Sequence, residues 1–273
     1  MVLGAEGQTG RELCRFIEDP IEVTHNKGQI KAEYANEGAL STIIHEYSPD
    51  LIINTVALTN VDKCETDMAK AYRLNATAVR EIVHASQHTG SKLVHISTDY
   101  VFDGKKGNYR ESDIPNPLNF YGLSKLMGDC YADAMEHSLI IRTSGVYGYS
   151  NNFPKFVHDS LKNGREINTF PGYYSPIHAF NLARAIIDLI SMNHKGLINI
   201  AGERISRYDL SVLISRHFNL PGAISEVPNP DNMIAKRPFD SSLNIDRAKG
   251  LLNFDFYTTE SNLKQLERTV NIA

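Results

Sequence analysis

The chain has 273 residues, 42% of them apolar and 22% charged, with a formal net charge of -4. A chain of this length buries a sizeable core without disulfides or metal staples, so a small stapled scaffold is excluded. The mild acidity and the lack of any block of Lys and Arg argue against nucleic-acid binding and against a membrane-surface patch, leaving small molecules or other subunits as partners.

In chain order, short apolar runs at residues 1–3, 21–25, 51–56, 92–97 and 138–143 alternate with helical patterns at 9–18, 37–47, 66–87 and 120–136. This alternation predicts βαβ units and a doubly wound parallel sheet of Rossmann type. After Thr143 the pattern loosens, with Gly145, Gly148, Gly164, Pro171, Gly172 and Pro176 punctuating short segments. Residues 181–192 then read as an amphipathic helix leading into an apolar strand at 197–201. Ser206 is placed to cap a helix over 208–218, and the proline-rich stretch 221–240 is expected to face a substrate. The expected division is a dinucleotide-binding domain from 1–144 and 177–202, and a smaller discontinuous α/β substrate lobe from 145–176 and 203–273. The N-terminus shows no basic segment followed by an apolar stretch, and no apolar run approaches the roughly 20 residues of a bilayer span, so a cytoplasmic protein without a membrane partner is expected. Cys14, Cys64 and Cys130 are odd in number and far apart, which argues against a disulfide framework and against paired thiolate metal ligands.

Gly4, Gly7 and Gly10 recur at a spacing of three, directly after the first apolar run and at the start of a helix. About 0.08 such triplets are expected by chance among the 18 glycines. The first glycine permits a tight turn, the second lets backbone approach a pyrophosphate, and the third packs helix on strand, while free amides such as those of Gln8 and Thr9 hold the phosphates. The second strand ends in His25-Asn26-Lys27 and not in a carboxylate. Asn26 and Lys27 are therefore assigned to the cofactor, and pairing of Lys27 with a 2′-phosphate favours NADP(H) over NAD.

Tyr121 and Lys125 lie four apart, on one face of a helix. A lysine ammonium beside a phenol is expected to lower the phenol's pKa, and such a tyrosine can protonate a carbonyl oxygen as hydride reaches its carbon. About 0.7 such pairs arise by chance, so context carries the assignment. Pro115 and Pro117 force extended chain just before the pair, and Thr98 ends the fourth strand at the carboxyl edge of the sheet, where a hydroxyl can hold a carbonyl.

Taken together, Gly4-x-x-Gly7-x-x-Gly10, the run Ser97-Thr98-Asp99-Tyr100-Val101-Phe102-Asp103-Gly104 and Tyr121-Gly122-x-Ser124-Lys125 resemble an extended short-chain dehydrogenase/reductase, and more narrowly the dTDP-4-dehydrorhamnose reductase family. Val61 to Glu65, Asn75, Arg142-Thr143-Ser144-x-Val146-Tyr147 and Arg237-Pro238-x-x-Ser241-x-Leu243 extend the likeness over nearly the whole chain. The resemblance implies NADPH-dependent reduction at C4 of a dTDP-4-dehydro-6-deoxyhexose, with Tyr121 as acid, Lys125 orienting the nicotinamide ribose and Thr98 holding the carbonyl. It further implies that Gly7, Gln8 and Thr9 meet the pyrophosphate and that Ala57 and Thr59 line the cofactor. Glu33 and Tyr34 would stand near the adenine, and Asp99 and Arg237 on the nucleotide-sugar substrate, with Arg237 toward its diphosphate. A homodimer is also allowed by the resemblance. Gly145 replaces a tryptophan of the family pattern, and Tyr173 or Tyr174 is a candidate to refill that space. Asp129 replaces a glutamate and leaves Mg²⁺ open, although no residue pattern supports a metal. His84 and His88 read as surface histidines. Other nucleotide-sugar epimerases, and a non-catalytic NADP-binding subunit like the regulatory subunit of methionine adenosyltransferase, share the resemblance; retention of Thr98, Tyr121 and Lys125 favours an enzyme.

Overall fold

The computed structural model describes residues 1–28, 30–149, 152–230 and 233–270. In chain order these form β1 (Val2–Leu3), α1 (Gln8–Phe16), β2 (Glu22–Thr24), β3 (Ile30–Lys31), α2 (Ala39–Tyr47), β4 (Leu51–Asn54), α3 (Val61–Thr66), α4 (Met68–Tyr72), a π-turn (Arg73–Thr77) and α5 (Ala78–Thr89). There follow β5 (Lys92–Thr98), a 3₁₀ turn (Asp99–Val101), α6 (Phe120–Asp133), β6 (Ser138–Thr143), β7 (Val146–Tyr147), α7 (Phe153–Lys162), β8 (Ile167–Thr169), β9 (Tyr173–Tyr174) and β10 (Ile177–His178). The chain closes with α8 (Ala179–Ser191), β11 (Gly196–Asn199), β12 (Ile205–Ser206), α9 (Arg207–His217), β13 (Ile224–Glu226), α10 (Asp246–Leu251) and α11 (Thr259–Val270). Residues 231 and 232 of the expected substrate-facing stretch 221–240 lie outside the described residues.

Seven strands make one parallel sheet in the order β11-β6-β5-β4-β1-β2-β3. The pleat sends alternate residues to opposite faces. Ile53, Val94, Leu139 and Ile141 pack with Leu182 and Ile186 of α8 on one side, while Ile52, Leu93 and Ile140 pack with Ile44 of α2 and Ile82 of α5 on the other. Burial on both faces explains why these strands read as near-continuous apolar runs. The fold class is therefore the one expected from the alternation. Leu243, Ile245, Leu252 and Phe256, near the C-terminus, share the core on the α8 face. A third core holds Tyr147, Val157, Leu161, Tyr174, Leu210 and Leu266, and it supports three two-stranded sheets: β10 with β7, β12 with β9, and β13 with β8.

One expected element differs. The single helix over 66–87 is instead α4, the π-turn and α5. The widened turn directs Asn75 inward, where its Oδ1 accepts from Leu58 N at 2.8 Å and its Nδ2 donates to Leu58 O at 3.2 Å and Ser124 Oγ at 3.0 Å. The loop after β4 is thereby stapled to α6, an instance of a π-bulge near a functional cleft. Close approach makes this possible, since a Cβ on Gly128 of α6 would lie 2.3 Å from Asn75 O. Gly128→Ala should therefore destabilise the protein by about 2–3 kcal/mol, read from the urea midpoint. Gly250→Ala in α10, where nothing lies within 4 Å of the added methyl, should cost nothing and gain up to about 1 kcal/mol.

Candidate active site

The sheet order reverses between β1 and β4, and the loops leaving the carboxyl ends of the strands open a crevice there. Gly4 turns the chain at φ +81°, and a Cβ on it would meet Thr55 Oγ1 at 2.7 Å. Gly10 lies still tighter, its added Cβ falling 2.3 Å from Gly4 O. These two glycines are thus required by packing. Gly7 starts α1 with no side-chain cap, so the first amides of α1 and the positive helix end face the crevice. This uncapped cradle fits a dinucleotide pyrophosphate.

Two adjoining clefts share Gly7, Thr55 and Ala57. The first, about 310 Å³, is also lined by Gly4, Glu6, His25, Glu33 and Tyr34. The second, about 480 Å³, is lined by Gln8, Thr9, Thr59, Thr98, Asp99, Tyr121 and Lys125, together with Val61, Tyr100, Thr143 and Gly145. Most sequence-assigned residues are therefore brought together along one groove. The ribose end departs from expectation. Glu6 reaches across to accept from His25 N at 2.8 Å, and Glu33 Oε2 lies 3.5 Å from His25 Nδ1, so two carboxylates face this pocket. Asn26 and Lys27 are exposed beside it and do not line it. Tyr34 is 8% exposed, its hydroxyl accepting from Gly4 N at 3.1 Å and donating to Val23 O at 2.8 Å, which braces the phosphate turn from below.

Tyr121 occupies the first turn of α6. Asn119 Oδ1 caps the helix through Gly122 N at 2.9 Å, Glu65 accepts from Phe120 N at 2.7 Å, and an added Cβ on Gly122 would lie 2.0 Å from Tyr100 O. The helix start is thus pressed against the 3₁₀ turn that follows Thr98. Burial raises the Tyr121 pKa, and the Thr98 hydroxyl offsets this only in part. The expected lowering by Lys125 is absent because the ammonium points elsewhere: its Nζ donates to Ile96 O at 2.6 Å and lies 3.4 Å from His95 Nε2. Burial, opposed by the Asp129 charge, brings the Lys125 pKa down to about 8.

Behind Lys125 lies a buried polar cluster that sequence reasoning missed. Asn54 Nδ2 donates to His95 Nδ1 at 3.2 Å, while its own Oδ1 accepts from Val56 N, which leaves the His95 proton on Nε2. Burial and the nearby ammonium pull the His95 pKa down to about 4, so the ring is neutral. Asp129 lies 3.6 Å from His95 Nε2 and 3.5 Å from Arg142 Nε, and accepts from Ser97 Oγ at 2.7 Å. The residue that left Mg²⁺ open is therefore enclosed among hydrogen-bond donors, and the described residues contain no group of three acidic, His or Cys side chains placed to hold a metal. The available signal was a histidine inside the apolar run of β5, where an ionisable side chain demands partners.

Asp99 and Arg237 are engaged differently from expectation. Asp99 is 3% exposed; its Oδ2 accepts from Ser144 Oγ at 2.7 Å and Ser241 Oγ at 2.6 Å, and its Oδ1 accepts from Thr98 Oγ1 at 3.1 Å. It braces the cleft through both carboxylate oxygens. Arg237 pairs with Asp62 Oδ2 at 3.0 Å and donates to Ala235 O at 2.8 Å, so its guanidinium is already engaged. Asp99→Ala should cost about 3 kcal/mol in urea unfolding, because it strands several buried hydroxyl donors at once.

Comparison with known proteins places this geometry. The sequence pattern of the RmlD substrate binding domain matches residues 1–271. A dTDP-4-dehydrorhamnose reductase of Aggregatibacter actinomycetemcomitans is 30% identical, with 97% of each chain covered. A solved structure described as a hypothetical dTDP-4-dehydrorhamnose reductase from Sulfolobus tokodaii is 49% identical, covers 94% of this chain and 96% of its own, and superposes with a TM-score of 0.89. The dTDP-4-dehydrorhamnose reductase of Bacillus anthracis str. Ames, solved in complex with NADP, is 28% identical, covers 100% and 98%, and gives a TM-score of 0.87. With its uncapped phosphate turn and its Thr98, Tyr121 and Lys125 cleft, the chain belongs to the RmlD substrate binding domain family and is a homologue of dTDP-4-dehydrorhamnose reductases along nearly its whole length.

Proposed function

We propose that this protein reduces the C4 ketone of dTDP-4-dehydro-rhamnose to the hydroxyl of dTDP-rhamnose with NADPH, by the chemistry of the extended short-chain reductases. Residues 1–144 and 177–202 hold the dinucleotide in this reading, and 145–176 and 203–273 hold the sugar nucleotide. One observation carries it: Thr98, Tyr121 and Lys125 line the same cleft as Gly7, Gln8 and Thr9, in a chain aligned over 97% of its length with a dTDP-4-dehydrorhamnose reductase. The same three side chains count against a non-catalytic subunit. The three free thiols suit a reducing compartment, so the cytoplasm is proposed.

NADPH, when bound, supplies the hydride. Gly7, Gln8 and Thr9 offer amides to its pyrophosphate, Ala57 and Thr59 line its path, and His25, Asn26 and Lys27 stand at the 2′-phosphate end. Glu33 and Tyr34 lie on the adenine side. Lys125 keeps one N–H on Ile96 O and turns the others toward the nicotinamide ribose. On substrate binding the Thr98 hydroxyl proton turns from Asp99 Oδ1 to the ketone oxygen, which polarises the carbonyl. As the new C–H bond forms at C4, Tyr121 passes its phenolic proton to that oxygen, yielding the secondary alcohol and a phenolate. Burial keeps Tyr121 protonated beforehand, and a phenol remains more acidic than the alcohol formed at C4, so the proton passes to the developing alkoxide. Solvent then returns a proton to the phenolate.

Mixing the protein with NADPH and dTDP-4-dehydro-rhamnose should deplete cofactor absorbance, faster with NADPH than with NADH. Tyr121→Phe should lower kcat by about 10³-fold with NADP⁺ affinity retained, and equal turnover by the variant sinks the mechanism. The lysine's depressed pKa means that the ammonium is lost on passing upward through a pH of about 8. Accordingly kcat/KM should fall above that pH, and Lys125→Met should be slow at every pH with no such limb.

A further inference from the structure

Gly145 stands where the family pattern has tryptophan, and the structure shows what fills the space. Its φ is +44°, and a Cβ built on it would lie 2.7 and 2.8 Å from Cε2 and Cδ2 of Tyr174. The Tyr174 ring, carried on β9, thus lies against a glycine that lines the substrate cleft. Tyr174 is 7% exposed, and its hydroxyl is buried without a hydrogen-bond partner among the described residues. A buried hydroxyl left in this state is costly, roughly 1–3 kcal/mol, and a bound oxygen relieves the cost.

The Arg207 guanidinium stands 4.8 Å from the Tyr174 ring centroid and 6.0 Å from that of Phe153. Its charge also acts on the Tyr100 phenol, opposing the rise in pKa that burial causes there, and the Tyr100 ring centroid is 5.7 Å from that of Tyr121. Among the described residues, Arg204 pairs with Asp240 at 2.8 Å and Arg237 with Asp62 at 3.0 Å, whereas no described carboxylate forms an ion pair with Arg207. Its charge is therefore available. In a hexopyranose the carbon bearing the diphosphate lies across the ring from C4. With C4 held at Tyr121, the phosphates must leave on the far side of the sugar, and Arg207 lies one aromatic ring beyond the proton donor.

We propose that Arg207, stacked on the Tyr174 ring, forms an anion-binding corner at the rim of the substrate cleft, next to Tyr100 and Gly145, and receives the diphosphate of the nucleotide sugar in place of Arg237. A guanidinium suits the task because it gives a phosphate two parallel hydrogen bonds and stays charged at any working pH. The inference rests on the nucleotide-sugar reading above, and its test does not need turnover.

Calorimetric titration of dTDP into NADP⁺-saturated protein should show Arg207→Gln weakened by about 30-fold, a loss typical of a charged phosphate contact. Arg207→Lys should recover part of this loss, and Arg237→Gln should bind dTDP within about threefold of the parent protein, because its partner is Asp62. Thymidine, which lacks phosphates, should bind both Arg207 variants as it binds the parent. An unchanged dTDP affinity in Arg207→Gln, or an equal loss in Arg237→Gln, overturns the proposal. NADP⁺ affinity reports on folding in each case. Should Arg207→Gln fail that check, Tyr174→Phe, which removes a single oxygen, must weaken dTDP severalfold, and no change there also overturns it. Protein that binds dTDP through Arg207 yet leaves NADPH unoxidised fails the reductase reading alone; protein that reduces the ketosugar but binds dTDP equally without Arg207 fails this one alone.

Discussion

A carboxylate taken out of water must find hydrogen bonds or neutralise, and Asp99 finds three: Thr98 at the end of β5, Ser144 just after β6, and Ser241 in the returning C-terminal chain. Burial raises its pKa and the three hydroxyls act against that rise. Satisfying this one charge fixes the relative positions of two neighbouring strand ends and of a segment from the second half of the chain. Ser144 also accepts from Ser175 N at 3.2 Å, and Ser241 N donates to Tyr173 O at 3.0 Å, so β9 and Tyr174 are positioned by the same brace. Thr98, Tyr121 and the substrate wall thus inherit their geometry from a single buried group.

The same competition between burial and charge sets the chemistry. Tyr121 and Lys125 are both enclosed, and enclosure disfavours the phenolate in one and the ammonium in the other. Each is pushed toward neutrality, which makes the tyrosine a reserve of one proton and leaves the lysine sensitive to mild alkali. Asp129 lies behind the lysine and raises its pKa, whereas the neutral His95 separates the two without adding a cation. A carboxylate in that position is electrostatic support for the ammonium, and this explains why it is enclosed by Ser97, His95 and Arg142.

Much of this was legible in the sequence because its causes are local. Glycine spacing after β1, the four-residue step from Tyr121 to Lys125 and the capping Ser206, whose Oγ accepts from Asp209 N at 2.9 Å, each follow from backbone geometry over a few residues. Strand alternation gave the sheet for the same reason. The features that escaped are set by distant partners. The π-turn depends on Asn75 meeting Leu58 and Ser124, the orientation of Lys125 on Ile96 O, and the pairing of Arg237 on Asp62, 175 residues away. Arg207 gave no pattern at all, since a residue just inside a helix cap has no periodic signature and acquires its neighbours only when β9 and the 3₁₀ turn close around it.

Net charge offers no guide to where anions bind in this molecule. The groove has carboxylates at one end, Glu6 and Glu33 around His25, and in the proposal above its other end is served by Arg207, which forms no ion pair among the described residues. Between them the binding surface is backbone: uncapped α1 amides, held in place by Gly4 and Gly10, which have no room for a side chain. Amides and one fixed guanidinium act over a few ångströms, within the screening length of physiological salt, whereas a diffuse surface field would be damped by it. A protein with a net charge of -4 can therefore hold two polyanionic ligands side by side, provided each phosphate is met by a donor whose direction the fold has already set.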